Sequence, residues 1–316
     1  MAYSAGDTIL DDEYNAFVGN SSSPFGYNHF AGTGSGEYGL NQSSISTVSA
    51  GGTVQASQWN SLFTGLDNIS NHTNVSITAS SVSAGDTIAI RAALVSDLAN
   101  LAAAVAGGST SATAIGTNSI GSSTNSGTWN STSTIERSVT FTNNATMRAF
   151  FNAGGFIRIN PGTSGSTTGN KDTVFSELEA AVGNLDLKAH TSARGGSGET
   201  QTTNGLSNGF HDLGTGYTTL LKLTSNNSGY TSNTLEISAK LNAAVGSATV
   251  LTIKSVATDA ADDTTFTSPN SSGVPANPNE APAMVLALTE HHPTNAQGLA
   301  SNIQASSNAQ VTNSAS

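Results

Sequence analysis

Between residues 106 and 135 the hydrophobic period of this chain switches from that of a helix to that of a strand. The switch limits the chain to folds with separate helical and sheet parts. Upstream, Trp59, Leu62, Phe63, Leu66 and Ile69 recur on one helical face, and Leu94, Leu98 and Leu101 do so in an alanine-rich run over residues 90–106. Gly107 and Gly108 stop that run. Downstream, "TIERSVTF" places Ile135, Arg137, Val139 and Phe141 on one side of a strand and Glu136, Ser138 and Thr140 on the other. The predicted class is α+β: small N-terminal helical and turn units, then a mainly antiparallel, β-sandwich-like domain with short inserted helices. The boundaries read as an N-terminal docking region over 1–106, a Ser/Thr/Gly-rich linker over 107–131 with Trp129 as its one anchor, a mainly β domain over 132–292, and a low-complexity tail over 293–316.

The docking region repeats itself. "SAGDTI" from Ser4, "SAGGTV" from Ser49 and "SAGDTI" from Ser83 each precede a helical pattern, at spacings of 45 and 34 residues, too uneven for a solenoid. Gly6, Gly51 and Gly85 are predicted to make equivalent turns, each leading through a short extended element into a helix. The first helix carries Ile9, Leu10, Tyr14 and Phe17 and ends at Gly19, while the second starts near Gln55 or Ser57. Such faces form the core of a small helical domain or join units and chains. Between the first two units, residues 20–39 hold Pro24, Phe25, Tyr27, His29, Phe30 and Tyr38 without any period. Aromatic side chains in an irregular arm need cover. The expectation is an interface arm that packs on a neighbouring subunit, the alternative being the arm's own domain.

"TNNATMRAFFNAGGFIRIN" is the most distinctive local signal. Asn143 or Asn144 caps a short helix with Met147, Phe150 and Phe151, and Gly154-Gly155 supplies a left-handed stop. Ile157 and Ile159 then enter a sheet beside the strand of Val139 and Phe141, with Phe156, Arg158 and Asn160 on the opposite face. Arg158 needs a partner, with Arg137 near it and Glu136 and Glu179 as candidates. The glycine pair is no dinucleotide fingerprint, because it follows a helix and precedes a strand. A helix over 173–182 buries Phe175, Leu178 and Val182; "NLDLKAH", "YTTLLKLT", "NTLEISAKLN", "ATVLTIKSVAT" and "AMVLALTEHH" read as strands, the last reached through a Pro-rich loop over 269–282.

Composition narrows the function. There is no cysteine, and 10 Lys and Arg stand against 21 Asp and Glu for a net charge of −11. That balance argues against binding a nucleic-acid backbone. Neither a membrane span nor a signal peptide is read. Only 10% of residues are charged, which suits an oligomer whose uncharged polar surfaces meet neighbouring chains. Titratable groups are sparse: His211-Asp212 and Glu290-His291-His292 are the local clusters with ligand chemistry, and both lack a strong metal spacing. "DAADD" at Asp259 to Asp263 is either a solvated turn or a cation loop, and Glu177 and Glu179 point apart on their helix. No catalytic residue, cofactor or metal is expected, and the chain is not expected to be an enzyme.

"FTNNATMRAFFNAGGFIRIN" joined to "LGTGYTTLLKLTSNNSGYTSNTLEISAKL" resembles a group of virion structural proteins of tailed bacteriophages, particularly those infecting marine cyanobacteria. The resemblance covers residues 130–290, and the opening "SAGDTI" and "QWN" units resemble the segment ahead of that domain. It implies a virion subunit of the neck, tail or an attached appendage, whose partners are copies of itself and other virion proteins. The sequence departs from the group at Phe156, where a polar residue is usual, so an additional buried contact is expected there. A second reading is a host-surface or glycan-binding fibre module using Tyr217, Tyr230 and Trp129 on one rim; a third, a glycan hydrolase, needs an acidic pair in a cleft.

Overall fold

The structure, a computed structural model, describes residues 11–32, 38–83, 91–126, 129, 131–164, 170–260, 282–294 and 307–315. They form two compact units. The first takes its described residues from Met1–Gly116, Asn144–Gly155 and His292–Gln304, the second from Thr117–Asn143, Phe156–His291 and Ala305–Ser316. The fold is α+β, with N-terminal helices followed by antiparallel sheets and interspersed short helices.

In the first unit the helices are α1 (Asp11–Val18), α2 (Tyr27–Phe30), α3 (Ala56–Thr73), α4 (Arg91–Ala106) and, from later in the chain, α5 (Asn144–Asn152). The five-residue stripe on α3 is buried, and the Trp59 ring meets Tyr14 edge-on at 5.2 Å and stacks with Phe63 at 5.8 Å. Leu94, Leu98 and Leu101 of α4 are buried as well, and α4 packs on α3. These faces are therefore the core of the unit. Tyr27 and Phe30 of the aromatic arm are buried too, whereas Phe25 is half-exposed beside His29 and Tyr38. The interface reading of the arm is corrected for Tyr27 and Phe30: side chains already closed off in one chain have no area to lose to another.

Helix α5 ends as its glycines foretell. Gly154 N–H donates to the Phe151 carbonyl at 3.0 Å and Gly155 N–H to the Phe150 carbonyl at 2.9 Å, with Gly154 at φ +81°. This pairing is the Schellman termination, which satisfies carbonyls the helix would leave orphaned. Phe150 and Phe151 are fully buried, edge to face at 4.9 Å. Gly6 and Gly85 lie outside the described residues; Gly51 has φ +76°.

The second unit holds two antiparallel sheets. One runs β1 (Ile115–Asn125), β10 (Ala283–Pro293), β3 (Phe156–Ser164), β4 (Leu185–Leu187), β5 (Ser192–Arg194). The other runs β11 (Ser307–Ala315), β2 (Thr132–Thr140), β9 (Val250–Thr258), β8 (Thr234–Leu241), β7 (Thr218–Thr224), β6 (Thr200–Asn204). Helix α6 (Asn170–Val182) packs against β3 of the first sheet and β7 and β8 of the second. Ile135, Val139, Leu235, Ile237, Leu251 and Ile253 are buried, as the alternation in β2, β8 and β9 demands.

Several expectations change. Ile157 and Ile159 are buried, but β3 pairs with β10 and β4, while β2 pairs with β9 and β11 in the other sheet. The chain leaves β2 for α5 in the first unit before it returns as β3, so the two strands are not hairpin neighbours. Residues 115–125 of the expected linker are β1, and residues 307–315 of the tail are β11. Both are edge strands, which need a paired backbone but no continuous apolar face. Trp129 is buried against Phe175 at 4.9 Å, its indole N–H donating to the Pro282 carbonyl at 2.9 Å.

Candidate assembly surface

The first unit carries two long stretches, residues 41–49 and 74–83, that belong to no helix or strand. Side chains rather than a neighbouring strand hold them in place. Asn28 of α2 donates its amide to the Ile45 carbonyl at 2.8 Å and accepts from the Ile45 N–H at 2.9 Å. Asn15 of α1 grips Val48 in the same way, at 2.8 and 2.7 Å. Asn60 of α3 grips Val82, at 2.9 and 2.8 Å. Asp97 of α4, itself buried, accepts from the N–H groups of Thr78 and Ala79 at 2.9 and 2.8 Å. A carboxamide presents one donor and one acceptor side by side, so it closes the pair of bonds that an adjacent strand would make.

The first stretch has a threefold rhythm. Gln42 N–H donates inward to the Ala31 carbonyl at 2.8 Å, and the next two inward groups are Ile45 and Val48. Gln42 is buried and Ile45 and Val48 half-buried, while Ser43, Ser44, Ser46 and Thr47 are exposed. The spacing of Gln42, Ile45 and Val48 leaves the residues between them on the outer side of the stretch. The N–H groups of those four exposed residues make no hydrogen bond among the described residues.

Two of the clamps fall in register with the repeated opening motif. Asn15 and Asn60 each lie nine residues after a motif glycine, Gly6 and Gly51, and the residues they hold, Val48 and Val82, each lie three before the next one, Gly51 and Gly85. The signal was present in the repeat, but the pairing of an asparagine with a residue 33 or 22 positions away appears only in three dimensions. Residues 41–49 and 74–83 contain no Asp, Glu, Lys or Arg, so the two stretches carry no charged side chain of their own.

Other candidate residues fall elsewhere. Arg158 makes a bidentate pair with Asp186, at 2.7 and 2.8 Å, instead of reaching Glu136 or Glu179. The partner lies directly across β3 and β4, on the register Arg158 to Asp186. Arg137 is in the other sheet and donates to Ser123 Oγ and the Ile120 carbonyl. Phe156 is half-exposed and stacks on His291 at 4.2 Å, so its extra contact is made on the face of the sheet. Asp212 accepts from the Gly209 N–H, and His211 stacks on His190 at 5.1 Å. Asp259 is buried and paired with Lys171 at 2.6 Å, while Asp262 and Asp263 lie outside the described residues. Among the described residues no group of three or more His, Cys, Asp or Glu gathers to hold a metal ion.

Of the three proposed rim aromatics, Trp129 and Tyr230 are buried, and half-exposed Tyr217 lies under Lys254 and Lys240, whose ammonium groups stand 3.9 and 4.3 Å from its ring centroid. Burial, followed by the nearby Glu136 carboxylate, raises the Tyr217 phenol above its usual range. The proposed acidic pair is also split. Glu177 is exposed toward Asn227, whereas Glu179 is buried, and burial raises its carboxyl to about 8 against the pull of its bond from Thr163. His72 is fully buried with its imidazole pushed below the usual range by burial; its Nε2–H donates to the Ala153 carbonyl at 2.8 Å.

No family model, curated protein or solved structure matches this chain. Among the described residues no helix is long and apolar enough to cross a membrane.

Proposed function

We propose that this chain is a structural subunit of a tailed-phage virion, part of the neck, tail or an attached appendage, which assembles with copies of itself and with other virion proteins. The observation that carries the reading is the clamped ribbon at residues 41–49, where Asn28 and Asn15 hold the backbone and the N–H groups of four exposed residues have no partner among the described residues. An ordered, charge-free segment with free backbone donors loses little conformational entropy on meeting another chain. The resemblance of the "FFNAGGFIRIN" segment to virion proteins supplies the setting. The fibre-module reading has less support, since Trp129 and Tyr230 are buried and not on a rim.

Light scattering on the purified chain over a range of concentrations tests the assembly part. A mass that rises to a defined multiple of 31.8 kDa is expected. A monomer at every concentration that also fails to bind particles lacking it would sink the proposal. Labelled antibody on intact particles tests the location, with decoration of the neck, tail or appendage expected.

A further inference from the structure

A groove of about 670 Å³ lies in the first unit between the clamped ribbon and α3. Its floor is a stripe of small uncharged residues at helical spacing, Ser57, Ser61, Thr64 and Asn68, on the side of α3 away from the buried stripe of Trp59, Leu62, Leu66 and Ile69. Gly65 completes the floor because a Cβ there would stand 2.7 Å from the Tyr27 ring, which seats on the helix at that point. Ser43 and Ser44 form the opposite wall with their unpaired N–H groups. Among the described residues no acidic or basic side chain lines the groove, and burial pushes the Tyr27 phenol up to about 12, so the described lining carries no charge at neutral pH.

Resting on the assembly reading above, we infer that this groove is the acceptor site for an extended, charge-free stretch of a second copy of the chain. The floor from Ser57 to Asn68 is about 16 Å long at ~1.5 Å per helical residue, the length of about five residues of extended chain. Its hydroxyls and the Asn68 amide, with the backbone of the ribbon, offer both donors and acceptors to an extended backbone. The chain itself supplies fitting segments: residues 41–49 and 74–83 belong to no helix or strand and contain no Asp, Glu, Lys or Arg. An uncharged groove meeting an uncharged strand makes an association that salt does not screen.

Two variants test the site without touching the fold. Ser61→Arg places a long charged side chain on an exposed helical position of the floor, and Ser44→Pro removes a wall donor that makes no bond among the described residues. Sedimentation of the full chain should show association weakened at least about tenfold by each, with the thermal midpoint of the monomer unchanged and the wild-type association unaffected by added salt. A wild-type chain that stays monomeric overturns this site, and the assembly reading falls with it when the chain also fails to bind particles lacking it. A wild-type oligomer that either variant leaves intact overturns the groove alone. Ser61→Arg that assembles normally but loses retention on a neutral polysaccharide column likewise overturns it, and makes the groove a glycan site.

Discussion

Gly154→Ala separates two costs that a static view merges. Gly154 sits at φ +81°, and a Cβ built there would stand 1.9 Å from Thr110 Cγ2. A left-handed conformation costs an L-residue about 1–2 kcal/mol, and forcing a methyl into a filled site costs about 1–3 kcal/mol more. The expected loss is therefore about 2–5 kcal/mol, the sum of those two terms. Thr110→Ser removes the offending methyl and leaves Oγ1, at 3.2 Å, and Cβ, at 3.1 Å, as the nearest atoms. In that background Gly154→Ala should lose only the conformational part, so the double-mutant cycle should show a favourable coupling of about 1–3 kcal/mol. Urea denaturation followed by Trp59 fluorescence in a Trp129→Phe background reports the first unit, to which Trp59, Thr110 and Gly154 all belong. Coupling below about 0.5 kcal/mol would falsify the steric part of the reasoning, and a wild-type midpoint in Gly154→Ala itself would refute the whole of it.

Phe151→Ala empties a fully buried ring site beside Phe150 and should cost about 3–5 kcal/mol in the same denaturation assay; a loss under about 1 kcal/mol would show that α5 is not part of the core. Glu179→Gln tests the buried carboxyl. Because the folded carboxyl is raised to about 8, its contribution is fully present below the unfolded carboxylate value and is lost as pH rises toward and through 8. The wild type should therefore weaken relative to Glu179→Gln between pH 5 and 8, by up to about 1.4 kcal/mol per pH unit. Urea midpoints followed by Trp129 fluorescence would read the difference, and a gap that stays constant over that range would contradict the burial of the charge.

Much of the architecture could be read from local pattern because local physics specifies it. The stripes of α3 and α4, the alternation of β2, β8 and β9, and the glycine end of α5 each depend on spacing within one element and on the backbone conformation a residue type permits. That is why Trp59, Phe63, Phe150, Phe151, Ile157 and Ile159 are buried and Gly154 is left-handed. Pairing across long separations had no such local sign. β2 and β3 went to different sheets because the chain between them visits the first unit. Arg158 found Asp186 through strand register, and β1 and β11 escaped notice because an edge strand is held by backbone bonds that any polar sequence can make. The candidate surface divides the same way: the repeated motif was visible, but only the tertiary structure brought Asn15, Asn28 and Asn60 against Val48, Ile45 and Val82. An amide clamp is specified by position in space, and sequence distance carries no information about it until the helices that bear the clamps have packed.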